Sequence, residues 1–178
     1  MAKRAAKKSA PRKSTRAQAK GTPRKKTADK ENVLTLLKAD HEAVSKLFAT
    51  FERRKDSMSA DQKKELAAKI CTELTVHATA EEEIFYPAVA NGVEDAGELV
   101  PEAKVEHESL KSLVSQIESA DPDDELFDAK VKVLGEYVKH HVKEEEGPIF
   151  RAVRRAGLNL QELGRKISER KQRLSGNA

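Results

Sequence analysis

The chain has 178 residues, 38% apolar, 36% charged and only 4% aromatic with no Trp, which fits one soluble helical domain with extensions and a core of Leu, Val, Ile, Ala and a few Phe. One cysteine, Cys71, excludes an intramolecular disulfide and points to a reducing, cytoplasmic setting; no run nears ~18 apolar residues and no secretory apolar core opens the chain, so no membrane partner is expected. The net charge of +4 hides a division: residues 1–30 carry twelve Lys/Arg and one acid, 31–148 carry fourteen against twenty-seven, and 149–178 carry eight against two.

Residues 1–30, MAKRAAKKSAPRKSTRAQAKGTPRKKTADK, contain no Val, Leu, Ile, Phe or Tyr, so a disordered basic tail is expected there. In composition the segment resembles histone tails, with KSAPRKSTRA nearest that style. An organelle transit peptide needs an apolar face that it lacks. Lys7, Lys8, Arg12, Lys13, Arg16, Lys20, Arg24, Lys25 and Lys26 would displace counterions from the phosphates of DNA or another polyanion without reading bases. A tail that only solubilises, or an added extension, is the alternative.

From residue 31 the pattern becomes helical. Leu34, Leu37, His41, Val44, Phe48 and Phe51 recur at intervals of three and four along one helix stripe. A second segment opens on Ser59 with Gln62 three residues later, the pattern of a capping box, and carries Ala67, Ile70, Leu74, His77, Glu81 and Ile84 in its seam. The third gives Val100, Ala103, His107, Leu110, Val114 and Ile117. The fourth takes Asp121 as N-cap and Pro122 as first helical residue, then Phe127, Val131, Leu134, Val138, His141 and Glu145. Each seam holds a histidine, and the second and fourth add a glutamate at i+4.

The seams also form a duplication. KADHEAVSKLFATFE (38–52) aligns with KVEHESLKSLVSQIE (104–118), and HATAEEEIFYPAV (77–89) with HVKEEEGPIFRAV (141–153). Pro101, Pro122 and Asn91-Gly92 fall in or near connections. Two such helical hairpins close most simply as an all-α, up-and-down antiparallel four-helix bundle over residues 31–156.

A lone carboxylate in an apolar seam costs several kcal/mol of desolvation and would sooner take a proton. Two carboxylates with four imidazoles instead form a ligand set. Residues at i and i+4 share a helix face, so His77 with Glu81 and His141 with Glu145 can grip neighbouring ions, with His41 and His107 arriving from the other helices. Six side chains suit two metal ions, each glutamate free to bridge them.

His41, the HxxxEE run from His77 to Glu82 with Tyr86-Pro87, His107, and HVKEEEGPIF from His141 make the chain similar to the hemerythrin-like (HHE cation-binding) domains over roughly residues 31–155. The resemblance implies a non-haem, oxo- or hydroxo-bridged pair of iron ions with His41, His77, His107 and His141 as terminal imidazoles and Glu81 and Glu145 as bridges. Oxygen-carrying hemerythrins have a further histidine where this chain has Lys111, and an aspartate bridge at slightly longer spacing where it has Glu145. These departures turn the expectation from reversible oxygen carriage, which depends on five histidines, toward chemistry on or sensing of O2, peroxide or NO. The alternative is a nucleic-acid-associated protein whose metal site is structural or sensory.

Around this set, His140 is expected to be exposed or to support a ligand, and Glu82, Glu83, Glu144 and Glu146 to be solvated, with some free to orient imidazoles. Tyr86 and Tyr137 are expected to serve packing. Lys111 either faces solvent or fills the space of the missing histidine, and Cys71 is an inert core thiol. Residues 157–178 read as a short basic helix opening at Asn159. Leu160, Leu163, Ile167 and Leu174 form its apolar side, for packing on the bundle end, with nucleic-acid or dimer contact as alternatives.

Overall fold

The computed structural model describes Met1 and residues 32–94 and 96–176. The basic tail and its nine expected nucleic-acid residues therefore lie outside the described residues. Among those described, every regular element is helical.

The first helix, α1 (Val33–Arg54), begins where Asn32 accepts from the Thr35 amide at 3.0 Å, relieving one of the unpaired donors that open any helix. A 3₁₀ turn, Lys55–Ser57, leads to α2 (Ala60–Ala80). Here the capping box forms as expected: Ser59 accepts from the Gln62 amide at 3.3 Å, and the Gln62 side chain accepts from the Ser59 amide at 3.0 Å. A π turn, Glu81–Phe85, carries the same rod into α3 (Tyr86–Gly92). The next helix, α4 (Ala96–Glu118), contains Pro101 in its second turn rather than in a connection.

The fourth rod consists of α5 (Phe127–Glu144), a second π turn (Glu145–Ile149) and α6 (Phe150–Arg155). It starts later than expected. Asp121 does not cap a helix; it accepts from the Asp123 amide at 3.0 Å, and Asp124 accepts from Leu126 at 2.9 Å. These local bonds hold successive turns in place of a helical one. Gly157 then takes a positive φ of 69°, open to glycine at little steric cost, before α7 (Leu160–Ser175), which Asn159 caps by accepting from Glu162 at 3.1 Å.

Around the bundle α1 contacts α2 and α5, and α4 contacts the same two, so the four rods close a ring. The core is split in two. One cluster contains Leu37, Phe85, Tyr86, Val89, Phe150 and Ile167; the other contains Val44, Phe51, Ile70, Leu110, Phe127 and Leu134. Each large side chain so buried contributes about 1.5–3 kcal/mol. The histidines stand between the clusters, which shield them from water at both ends. The helix α7 lies against α1, α2 and the first π turn, with Ile167 fully buried in the first cluster.

The π turns correct the expected seam. Tyr86 donates its amide to the Glu81 carbonyl, and Phe150 to that of Glu145, a wider i+5 ring that rotates the following residues. Phe85 and Tyr86 are thereby fully buried, whereas Ile84 is only half-buried.

Candidate metal centre

The structure brings His41, His77, Glu81, His107, His141 and Glu145 to the middle of the bundle, all buried. His41 Nε2 and His77 Nε2 are 3.1 Å apart, as are His107 Nε2 and His141 Nε2. Glu81 reaches both pairs, with Oε1 3.1 Å from His77 Nε2 and Oε2 3.5 Å from His107 Nε2. Glu145 Oε2 lies 3.1 Å from His41 Nε2. Two donor groups result, His41–His77–Glu81–Glu145 and Glu81–His107–His141, in each of which the donor atoms lie within 4.8 Å of one another. Glu81 belongs to both.

The other nitrogen of each imidazole meets a carboxylate. His77 Nδ1 is 3.2 Å from Asp40, His107 Nδ1 3.0 Å from Glu82, His141 Nδ1 2.8 Å from Glu106 and His41 Nδ1 3.0 Å from Glu146. Each carboxylate is the chain neighbour of a residue in the cluster but serves a histidine on a different helix. The four links pass around the whole bundle.

Donation of Nδ1–H to these carboxylates leaves a neutral ring with a bare Nε2 lone pair. Two such lone pairs 3.1 Å apart repel unless a proton or cation stands between them. Ligands about 2.1 Å from one ion at tetrahedral or octahedral angles are separated by about 3.0–3.4 Å, which is the spacing found. Glu81 Oε1 and both oxygens of Glu145 are buried with no hydrogen-bond partner among the described residues. Buried carboxylate oxygens without a hydrogen-bond partner, facing imidazole nitrogens, fit a cation, with a proton as its competitor.

The electrostatics carry the same strain. Burial first, then repulsion by Glu81, raises the Glu145 carboxyl above its usual range against the opposing pull of His41. Burial pushes Glu81 up too, but the neighbouring His77, above all through its charge, holds it below the ordinary value. Burial and the neighbouring His141 press His107 down to about 4. Without a cation, protons and carboxylates share out the charge unevenly.

Of the surrounding residues, the two tyrosines depart from expectation and the others fall within it. Tyr86 does more than pack: its hydroxyl is 3.2 Å from His107 Nε2 and donates to Glu81 Oε2 at 3.5 Å, while burial and the Glu81 and Glu145 charges raise its pKa and keep it a phenol. Tyr137 does not pack and is about half exposed. Glu82 and Glu146 orient imidazoles, whereas Glu83 binds Arg170 on α7 at 2.6 Å. Lys111, at an exposed position, binds Glu82 at 2.7 Å and also lines the cavity beside the histidines. His140 is exposed and supports Glu106 at 3.3 Å. Cys71 is buried, its thiol pushed up to about 12 chiefly by burial. Asp40 and Glu106 were not singled out by sequence; the duplication, which aligns them as acids before His41 and His107, carries the signal.

Fold and donor set together define a helical cation-binding bundle. The Hemerythrin HHE cation binding domain family matches residues 32–153, and the chain belongs to that family. A DNA nickase of Nostoc sp. is 33% identical over 125 residues, 69% of this chain. The chain spans about a third of that relative's length, 34%. The crystal structure of a Hemerythrin HHE cation binding domain-containing protein from Mycobacterium kansasii is similar in fold, with a TM-score of 0.68, 21% identity, and coverage of 82% of this chain and 88% of that one. No described helix is long and apolar enough to cross a membrane.

Proposed function

We propose that residues 31–156 hold two non-haem iron ions, with His41, His77, His107 and His141 as terminal ligands and Glu81 and Glu145 as carboxylate bridges, and that the centre binds or reacts with O2, peroxide or NO. The observation that carries this reading is Glu81, fully buried, with one oxygen toward each histidine pair. A single ion would leave one of those oxygens without purpose.

When bound, such a pair supplies open coordination positions and one-electron chemistry. The chain supplies the rest. Asp40, Glu82, Glu106 and Glu146 hold the imidazoles with Nε2 inward. Beside His41, His77, His107 and His141 is a cavity of about 30 Å³ walled by Val44, Leu74, Leu110, Val114 and Val138. Its size suits a molecule of two or three atoms, and Asp40, Glu73, Thr75 and Lys111 add polar groups to its lining. Tyr86 can donate a hydrogen bond at the His107 side.

The purified protein should contain two irons per chain and show near-ultraviolet oxo-iron absorption that changes on adding peroxide or NO. A colourless protein carrying zinc or no metal would sink the proposal.

A second reading has its own support. The tail carries twelve Lys/Arg against one acid, and the similar Nostoc sp. protein is named a DNA nickase. Association of residues 1–30 with DNA or another polyanion is compatible with the metal reading, the centre then acting as a sensor or structural element.

A further inference from the structure

Each carboxylate that orients an imidazole meets a further nitrogen-bearing side chain. Glu82 meets Lys111 at 2.7 Å, Glu106 meets His140 at 3.3 Å, and Glu146 meets Lys38 at 3.6 Å. All three come from the four rods of the bundle. Asp40 is different: its partner is Lys171, on α7, 131 residues away in sequence.

The duplication explains the substitution. The second copy supports Glu106 with His140, the residue before its own HxxxE histidine. The matching position in the first copy is Val76, which has no side-chain donor. The partner of Asp40 comes instead from α7. Ile167 anchors that helix in the core. One residue before Lys171, Arg170 clasps Glu83 of the first π turn through two bonds of 2.6 and 2.8 Å.

We propose that Lys171 is a positioning residue of the metal centre: it fixes Asp40, which fixes the His77 ring, so that α7 is a working part of the site. The inference rests on the metal reading above. Asp40 Oδ1 engages Lys171 and Oδ2 engages His77 Nδ1, so one carboxylate couples the outer helix to the ligand. Removing the lysine frees the carboxylate to rotate toward water and the imidazole to leave its inward orientation.

The test is a Co(II) titration of the metal-free full-length chain, read by visible absorption and chelator competition. Lys171→Met should weaken uptake of one of two ions by roughly tenfold, the low end for groups supporting a ligand. Arg170→Met, which breaks the other clasp of α7, should leave affinity unchanged. In an Asp40→Asn background, Lys171→Met should add nothing, because its effect runs through that carboxylate. Wild-type affinity in Lys171→Met, an equal loss in Arg170→Met, or additive losses with Asp40→Asn would each overturn the proposal. His77→Ala separates the two readings. If it loses an ion while Lys171→Met does not, only this inference fails; if it binds as the wild type does, the metal reading fails as well.

Discussion

The Tyr86 hydroxyl stands 3.2 Å from His107 Nε2, whereas Phe150, its counterpart in the duplication, offers His41 only a stacked ring at 6.4 Å between centroids. The halves of the centre are thus chemically unequal: one meets an aromatic face, the other a phenol. Tyr86→Phe should keep the fold and the metal content, lower stability by about 1 kcal/mol for the lost buried hydrogen bonding, and alter the absorption of the iron-loaded protein. An unchanged spectrum would place the hydroxyl outside the centre's chemistry.

Orientation of the imidazoles gives a second expectation. Glu82→Ala and Glu146→Ala should each weaken metal binding by about 10–100-fold, since each removes the Nδ1 partner of one histidine. Glu144→Ala should not, because among the described residues Glu144 pairs only with Lys143, at 3.6 Å. Chelator competition on the three variants tests the contrast. Equal affinities would mean that the helices alone fix the rings.

Much of this arrangement was legible in the sequence. The four seams, the histidine in each and the i+4 glutamates follow from helical period, which places them on one face whatever the neighbours do. The carboxylates that orient the rings were harder to see. Asp40, Glu82, Glu106 and Glu146 sit next to cluster residues in sequence, so the helical period turns them away from their own seam. Their partners lie on other rods, and only the tertiary packing reveals them. The π turns were invisible for a related reason: widening the ring at Glu81 and Glu145 buries Phe85 and Tyr86 in place of Ile84, and no local propensity announces it. Pairing acids across the duplication would have exposed the ring of carboxylates.

The pH dependence of metal uptake follows from His77. Burial pushes this group down, but the Glu81 charge and the Asp40 hydrogen bond prevail and raise it to about 10 in the metal-free chain, from an ordinary 6.5. A raised folded-state value means that the proton stabilises the metal-free fold fully below about 6.5, and that this stabilisation is lost as pH rises through about 10. A cation must displace the same proton, so affinity should climb with pH across that window, with proton release on binding. Titration in weak buffer with a pH indicator measures it. Metal uptake at pH 7.5 without proton release would contradict the assignment of His77 as a ligand.

Removing the metal should also lower thermal stability. Glu81 and Glu145 are buried with three of their four carboxylate oxygens lacking a hydrogen-bond partner among the described residues, and a bound cation offsets that cost. At a free metal concentration 100 times Kd, linkage supplies about 2.7 kcal/mol per site, or about 5–10 °C in Tm for a chain of this size. Glu81→Ala should abolish most of this difference, because Glu81 belongs to both donor groups. Calorimetry of the loaded and stripped forms decides the point, and coincident melting curves would count against coupling between the centre and the fold.

The tail raises a separate expectation, independent of the metal. Twelve Lys/Arg against one acid in residues 1–30 favour phosphate contacts without base reading, whose affinity falls with log salt at a slope of about −0.9 per phosphate neutralised on duplex DNA. If six to ten contacts form, binding should weaken by about 10³–10⁵ between 50 and 200 mM salt, with little difference between unrelated duplexes. Deleting residues 1–30 leaves an acidic bundle, fourteen Lys/Arg against twenty-seven Asp/Glu over 31–148, which repels phosphate and should lose the binding. Fluorescence anisotropy on both chains at several salt concentrations measures the slope. Full binding by the shortened chain would transfer the interaction to the C-terminal residues 149–178, where Arg151, Arg154 and Arg155 are exposed.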